Sequence, residues 1–174
     1  MQAILMFIEY HILKKGKIIP ILLFSFGIGA CVYFFTDDSI YNANVDKYLG
    51  NILNVLGILL GFSISTLAIL LSVENDNMKA AKKELIKDKN GNEMMLYKQK
   101  ISLFESVTME LVYLILIQGF LLIANFVCPH FIVIESNIGK CIYSIDVSFM
   151  VYSIFLLIQN MLNMYFILTK KGMR

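Results

Sequence analysis

The stretch GILLGFSISTLAILLSVEND, residues 57–76, carries no charge until Glu74 and then breaks off in Glu74-Asn75-Asp76-Asn77. It is the later part of an apolar run that begins near Leu49 and reaches Val73. A helix needs about 20 mostly apolar residues, within a range of roughly 17–25, to cross a bilayer core. The run therefore reads as a membrane span. Working outward, three more runs of the same kind emerge. Ile18–Phe35 is ended by Thr36-Asp37-Asp38, Phe104–Val127 by Cys128-Pro129, and Val147–Leu168 by Lys170-Lys171.

The bulk composition agrees with the four runs. Of 174 residues, 58% are hydrophobic and 16% charged, with mean hydropathy +0.71. Soluble domains sit near 45–50% apolar on a slightly different residue set and near 25% charged. A soluble enzyme domain, a disordered chain and a secreted disulfide scaffold are excluded. The expected fold is an all-α membrane protein, one four-helix transmembrane domain over residues 1–174. Its spans fall at about 18–35, 49–73, 104–127 and 147–168, with a cytoplasmic hairpin at 75–102 and an outer loop at 128–146.

Orientation follows from the basic residues, because cytoplasmic flanks carry the excess of Lys and Arg. Lys14, Lys15 and Lys17 precede span one, and Lys170, Lys171 and Arg174 follow span four. Lys79, Lys82, Lys83, Lys87, Lys89, Lys98 and Lys100 separate spans two and three. These thirteen stand against Lys47 and Lys140 on the other side. Both termini and the middle loop are expected in the cytoplasm. Span one resembles a signal peptide, but its apolar run exceeds the usual 7–15 residues and no small-x-small site follows it. It is expected to stay as an uncleaved anchor. The leading Met1–Leu13 reads either as an interfacial helix on the inner leaflet or as a frayed end.

The middle segment is rich in helix formers. Met78–Lys89 reads MKAAKKELIKDK, with Ala, Lys, Glu and Leu all favouring helix. Asn75, Asp76 or Asn77 is placed to cap its start. Asn90-Gly91-Asn92 is a turn signal, and Glu93–Leu103 resumes a helical pattern. The expectation is that spans two and three extend inward as an antiparallel helical hairpin. Its exposed Lys79, Lys82, Lys83 and Lys87 would meet anionic lipid heads or an acidic face of a cytoplasmic effector protein. The alternative is a solvated linker whose lysines only fix topology.

Span two carries the sharpest pattern. Gly50, Asn54, Gly57, Gly61, Ser65, Ala68 and Ser72 recur at steps of four and three, a small and polar stripe on one helix face. Lipid gives helices no hydrophobic reason to associate, so close contact relies on small residues. The stripe packs within one subunit against Ser25, Gly27 and Gly29 of span one, or forms the interface of a homo-oligomer, or walls a pore. Spans three and four carry Gln118, Asn125, Gln159, Asn160 and Asn163. Gln118 and Gln159 fall at similar depth, and an amide–amide contact of about 1 kcal/mol is expected between them. No Asp, Glu, Lys or Arg lies centrally in any span, as ion-coupled transport normally requires.

Chemistry is scarce. Cys128 and Cys141 flank an outer loop that reads as a small β-hairpin turning at Ser136–Gly139. They would close a disulfide in an oxidising compartment or remain two thiols. His11 and His130 fall on opposite sides of the membrane, so no metal site is expected. No Walker loop, HExxH, GxSxG, CxxC pair or carboxylate dyad occurs. The only Arg, Arg174, follows both His, which excludes the Arg-then-His motif of a HEPN-type nuclease. No enzyme activity, cofactor or direct nucleic-acid contact is expected.

The Lys-, Ile- and Asn-rich composition with one Arg suggests a low-GC bacterial gene and hence the inner membrane. The four-span plan, with GILLGFSISTLAILLSVEND leading into a Lys-rich middle segment, resembles KwaA, the membrane subunit of the Kiwa anti-phage system. That resemblance is architectural and implies an oligomeric membrane sensor working with a cytoplasmic nucleic-acid-binding partner. The chain is also similar in size and plan to membrane accessories of RNA-targeting CRISPR systems, which implies a pore-forming effector that depolarises the membrane.

Overall fold

A computed structural model of the chain describes residues 2–87, 93–96, 99–127 and 137–169. Its elements are α1 (Gln2–Phe35), α2 (Asp38–Ser72), α3 (Asp76–Lys83), β1 (Met95–Leu96), β2 (Gln99–Lys100), α4 (Leu103–Val127) and α5 (Asn137–Thr169). Among them, four helices are long and apolar enough to cross a membrane. Three of these, α1, α2 and α5, are longer than their apolar cores. α2 starts at Asp38 because the Asp37 side chain accepts from the Ser39 backbone N–H and caps it. That bond, followed by the Ser39 hydroxyl, holds the exposed Asp37 carboxyl below its ordinary range. α5 starts at Asn137, so the Asn137–Asp146 part of the expected outer loop, including the Asn137–Lys140 end of its expected β-hairpin, is helix instead. α1 runs unbroken through Met1–Leu13 from Gln2 onward and approaches β1, so that segment is a continuation of span one rather than a separate interfacial helix.

α5 is the hub. α1 packs along α5, α2 packs along α4 and α5, and α4 packs on α5. The α4 face turned inward is Ser106, Val107, Leu111, Leu114, Gln118, Leu121 and Asn125, which from Val107 onward alternates four- and three-residue steps and keeps one stripe on a straight seam. From α2 the buried residues are Tyr41, Val45, Ile52, Leu56, Ser63, Thr66 and Leu70. Two clusters join α4 to α5. Leu114 packs with Leu156 and Leu157, and Val107 and Leu111 share a cluster with Ile167 nearer the end where α3 lies. Ser63, Thr66, Ser144 and Ser148 turn their hydroxyls onto the carbonyls four residues back, which satisfies the donor inside an apolar bundle.

The tightest helix contact lies between α1 and α5. A Cβ added at Gly29 would stand 1.8 Å from Ser148 Oγ and 2.6 Å from the Ser144 carbonyl oxygen. Ser25 is fully buried nearby in α1, whereas a Cβ at Gly27 would meet nothing within 4 Å. Gly29 thus serves α5, not span two as the sequence suggests. Edge-to-face pairs Phe24–Phe155 and Phe26–Phe149 flank the contact.

The middle segment departs from the expected helical hairpin. α3 stops at Lys83, and the chain then turns to extended pairing: Leu85 opposite Ser102, Lys87 opposite Glu93, Met95 opposite Lys100 and Leu96 opposite Gln99. Three segments close on one another in a ring. Ile86 N–H donates to the Ile101 carbonyl at 3.0 Å, Ile101 N–H to Met94 at 3.2 Å, and Met94 N–H to Ile86 at 2.8 Å. Ile86, Met94 and Ile101 then pack against Met109 of α4. Burying Ile101, partly covering Ile86 and Met94, and pairing the backbone outweighs the modest helix preference of Lys, Glu and Leu, a few tenths of a kcal/mol per residue. The Asn90-Gly91-Asn92 turn and Lys89 lie outside the described residues. Ser102 and Glu105 form a capping box, each side chain accepting from the other residue's backbone N–H, and it fixes where α4 begins.

Gly29→Ala should lower the thermal unfolding midpoint in detergent by the equivalent of about 1–3 kcal/mol, the usual range for overpacking. Gly27→Ala should be neutral or slightly stabilising. Equal midpoints for the two variants would contradict the close α1–α5 approach.

Candidate functional site

The span-two stripe faces outward. Asn54, Gly57, Gly61, Ser65, Ala68 and Ser72 are exposed and Gly50 is half-buried. A Cβ at Gly50, Gly57 or Gly61 would meet nothing within 4 Å. Packing within one subunit is therefore not what these residues do. The opposite α2 face repeats with a similar period and carries the larger side chains Tyr41, Ile52 and Leu56, so it takes the interior. The result is an uncovered helix face whose small residues leave it shallow.

At the end of the bundle that holds α3, an amphipathic turn of helix closes the base. Asn75 caps α3 by accepting from the Met78 N–H at 2.7 Å. Met78 and Ala81 are buried with Leu70, Val107, Leu111 and Ile167 from α2, α4 and α5. The Asn77 side-chain amide donates to the Leu168 carbonyl of α5 at 2.9 Å. The polar face presents the predicted lysines. Lys79 stands 3.8 Å from Asp76 in open solvent, and Lys82 lies over the Phe104 ring at 5.0 Å. Lys83 and Lys87 flank an open groove of about 660 Å³ shared with Glu84, Leu85, Ile86 and Leu103. The four lysines thus sit on one platform, made of a short helix and a β ring.

A second cluster, at the opposite end, was not singled out in the sequence. Lys140 is 9% exposed. Its ammonium donates to Asp38 Oδ1 at 2.6 Å and lies 5.3 Å above the Tyr33 ring, so one side chain of α5 ties α1 and α2 together. Tyr48 stacks on Tyr143 at 5.2 Å and on Tyr41 at 6.2 Å. Tyr41 and Tyr48 are seven residues apart, a spacing legible in the sequence, and aromatic belts with a polar handle are typical of bilayer interfaces. Between this cluster and the bundle centre, the Asn125 amide hydrogen-bonds the Asp146 carboxyl.

The interior amides do not pair as expected. Neither polar atom of Gln118 has a hydrogen-bond partner, so the Gln118–Gln159 contact is not made. The heptad register sets Gln118 level with Ser153, while Gln159 and Asn163 are half-buried. Cys141 is an exposed free thiol on α5. Cys128 lies outside the described residues. Among the described residues no three His, Cys, Asp or Glu gather as metal ligands. A shallow cleft of about 220 Å³ between α1 and α5 is lined by Phe26, Gly29, Tyr33, Cys141, Ser144 and Ser148.

Comparison with protein-family models, with curated proteins and with solved structures finds no match to this chain.

Because Asp38 is largely exposed, solvent screening limits its pair with Lys140 to about 1 kcal/mol. A double-mutant cycle with Asp38→Asn and Lys140→Met should return a coupling of that order at low salt, shrinking at high salt. A zero coupling at low salt would leave the contact without energetic weight.

Proposed function

We propose that the chain is a non-catalytic membrane sensor or scaffold subunit that assembles with copies of itself and docks a cytoplasmic effector protein on the 75–102 platform. In this reading it sits in the bacterial inner membrane with both termini in the cytoplasm, meets only lipid and protein, and belongs to an anti-phage defence system. The defence setting is carried by the resemblance to KwaA. The assembly is carried by one observation: Asn54, Gly57, Gly61, Ser65, Ala68 and Ser72 form a small-residue helix face that the protomer leaves uncovered. Small faces of this kind let helix backbones approach closely. The docking surface is supported by Lys79, Lys82, Lys83 and Lys87, which stand on a platform buried against three spans.

The pore-forming alternative uses the same α2 face turned toward a central axis, where Asn54, Ser65 and Ser72 would be its polar rungs. Conductance separates the two. The scaffold reading expects no depolarisation of cells expressing the chain alone, followed with a voltage-sensitive dye.

Gly57→Leu with Gly61→Leu should leave the protomer folded, because each new side chain projects from a face that touches nothing in the protomer. The same pair should dissociate the oligomer, read by cross-linking in membranes. Wild-type cross-linking by the double variant would assign the face to lipid. Replacing Lys79, Lys82, Lys83 and Lys87 with Gln changes helix propensity little. That variant should keep the oligomer and lose both binding to the chain's effector and plaque protection when the two are expressed together. Full protection by a correctly inserted variant would refute the docking surface.

A further inference from the structure

Midway along the α4–α5 seam, polar atoms are buried without protein partners. Gln118 and Ser153 are each 0% exposed, and Asn160 is 1% exposed. Gln118 Nε2 and Oε1, Ser153 Oγ and Asn160 Oδ1 have no hydrogen-bond partner. Other polar side chains in the bundle do better: Ser63, Thr66, Ser144 and Ser148 all bond the preceding helical turn.

The register brings the unpartnered groups together. On α5, Asp146, Ser153 and Asn160 are spaced by seven; on α4, so are Gln118 and Asn125. Asn125 hydrogen-bonds Asp146. The helices are antiparallel, so one heptad along α5 from Asp146 and one heptad back along α4 from Asn125 meet at Ser153 and Gln118. The next apolar layer supports that alignment, since Leu114 and Leu157, each four residues further on, pack in one cluster. Gln118 and Ser153 therefore share a level, about 10.5 Å, two helical turns, from the Asn125–Asp146 bond. One more heptad along α5 reaches Asn160, and one more back along α4 reaches the apolar Leu111, where the polar file on α4 ends.

We propose that this level is a binding site for water, held between Gln118 and Ser153 in the middle of two otherwise apolar helices. Chemistry and count both fit. A buried water typically makes about three hydrogen bonds to groups that lack other partners, and Gln118 offers a donor and an acceptor while the Ser153 hydroxyl offers either. All the groups at this level are neutral, so a neutral hydrogen-bonding molecule is favoured over an ion, which would need a countercharge. The Asn160 acceptor marks a second position of the same kind. A wetted seam lets α4 and α5 exchange hydrogen bonds when they shift, which a dry seam of orphaned amides does not. The inference stands whether or not the chain assembles into an oligomer.

The test is water-edited solid-state NMR on the full chain in lipid bilayers with side-chain ¹⁵N-labelled Gln, the Gln118 signal being identified by its loss in Gln118→Leu. Magnetisation should pass from water to the Gln118 amide, as it does to the exposed Gln99, and the transfer should fall severalfold in Ser153→Ala. Ser153→Ala removes one oxygen and preserves the helix, so the comparison does not depend on a disruptive variant. Absence of transfer to Gln118 in the wild type, or transfer unchanged by Ser153→Ala, would overturn the shared site.

Discussion

Helices long and apolar enough to cross a bilayer would gain nothing there from burying one apolar surface against another, so close approach and polar contact are what would hold such a bundle together. α5 supplies both. On one side its Ser144 and Ser148 lie so near Gly29 that α1 has no room for a Cβ there. On the other side its Tyr143, Ser153, Leu157, Asn160 and Ile167 form the wall on which α2 and α4 rest. Near its start, Lys140 reaches Asp38 and Tyr33 at once. α5 is the helix along which α1 makes its extensive contact, whereas α2 packs mainly on α4.

The dependence on α5 explains what was legible beforehand and what was not. Hydropathy located all four apolar runs, since twenty uncharged residues have few other uses. It could not say that charged residues such as Asp38 and Lys140 lie inside the helices, because a helix continues past its apolar core wherever a cap and a partner allow. The span-two stripe illustrates a second limit. Periodicity reveals a face but not its direction, and α2 has two faces of similar period. The larger side chains Tyr41, Ile52 and Leu56 were the signal that the other face turns inward. Depth alone matched Gln118 with Gln159; the heptads running 118–125 and 146–153–160 matched it with Ser153.

The β ring between α3 and α4 was the largest surprise, and its cause is non-local. MKAAKKELIKDK is helix-prone as an isolated peptide, yet Ile86 finds two backbone partners and an apolar pocket beside Met109 only when extended. Two local signals pointed that way. Ser102-x-x-Glu105 is a capping box, and a helix that starts at a cap does not continue from an upstream arm. Leu85-Ile86 is the one pair of large aliphatic residues in a charged stretch, and a two-residue apolar step suits a short strand better than a helix stripe.

The ring and α3 also change how the basic end relates to the spans. A helical hairpin would have been an extension of spans two and three alone, moving with them and indifferent to the fourth. Instead Met78 and Ala81 sit in a cluster drawn from α2, α4 and α5, and Asn77 is hydrogen-bonded to the last turn of α5. A displacement of any of these three helices by an ångström would disturb contacts packed as closely as a protein interior. The platform carrying Lys79, Lys82, Lys83 and Lys87 is therefore coupled to the geometry of the whole three-helix seam. The seam in turn contains Gln118, Ser153 and Asn160, whose buried polar atoms no protein group satisfies. A platform packed on α2, α4 and α5 follows any shift of those helices relative to one another, whereas a hairpin built on spans two and three would not register the fourth.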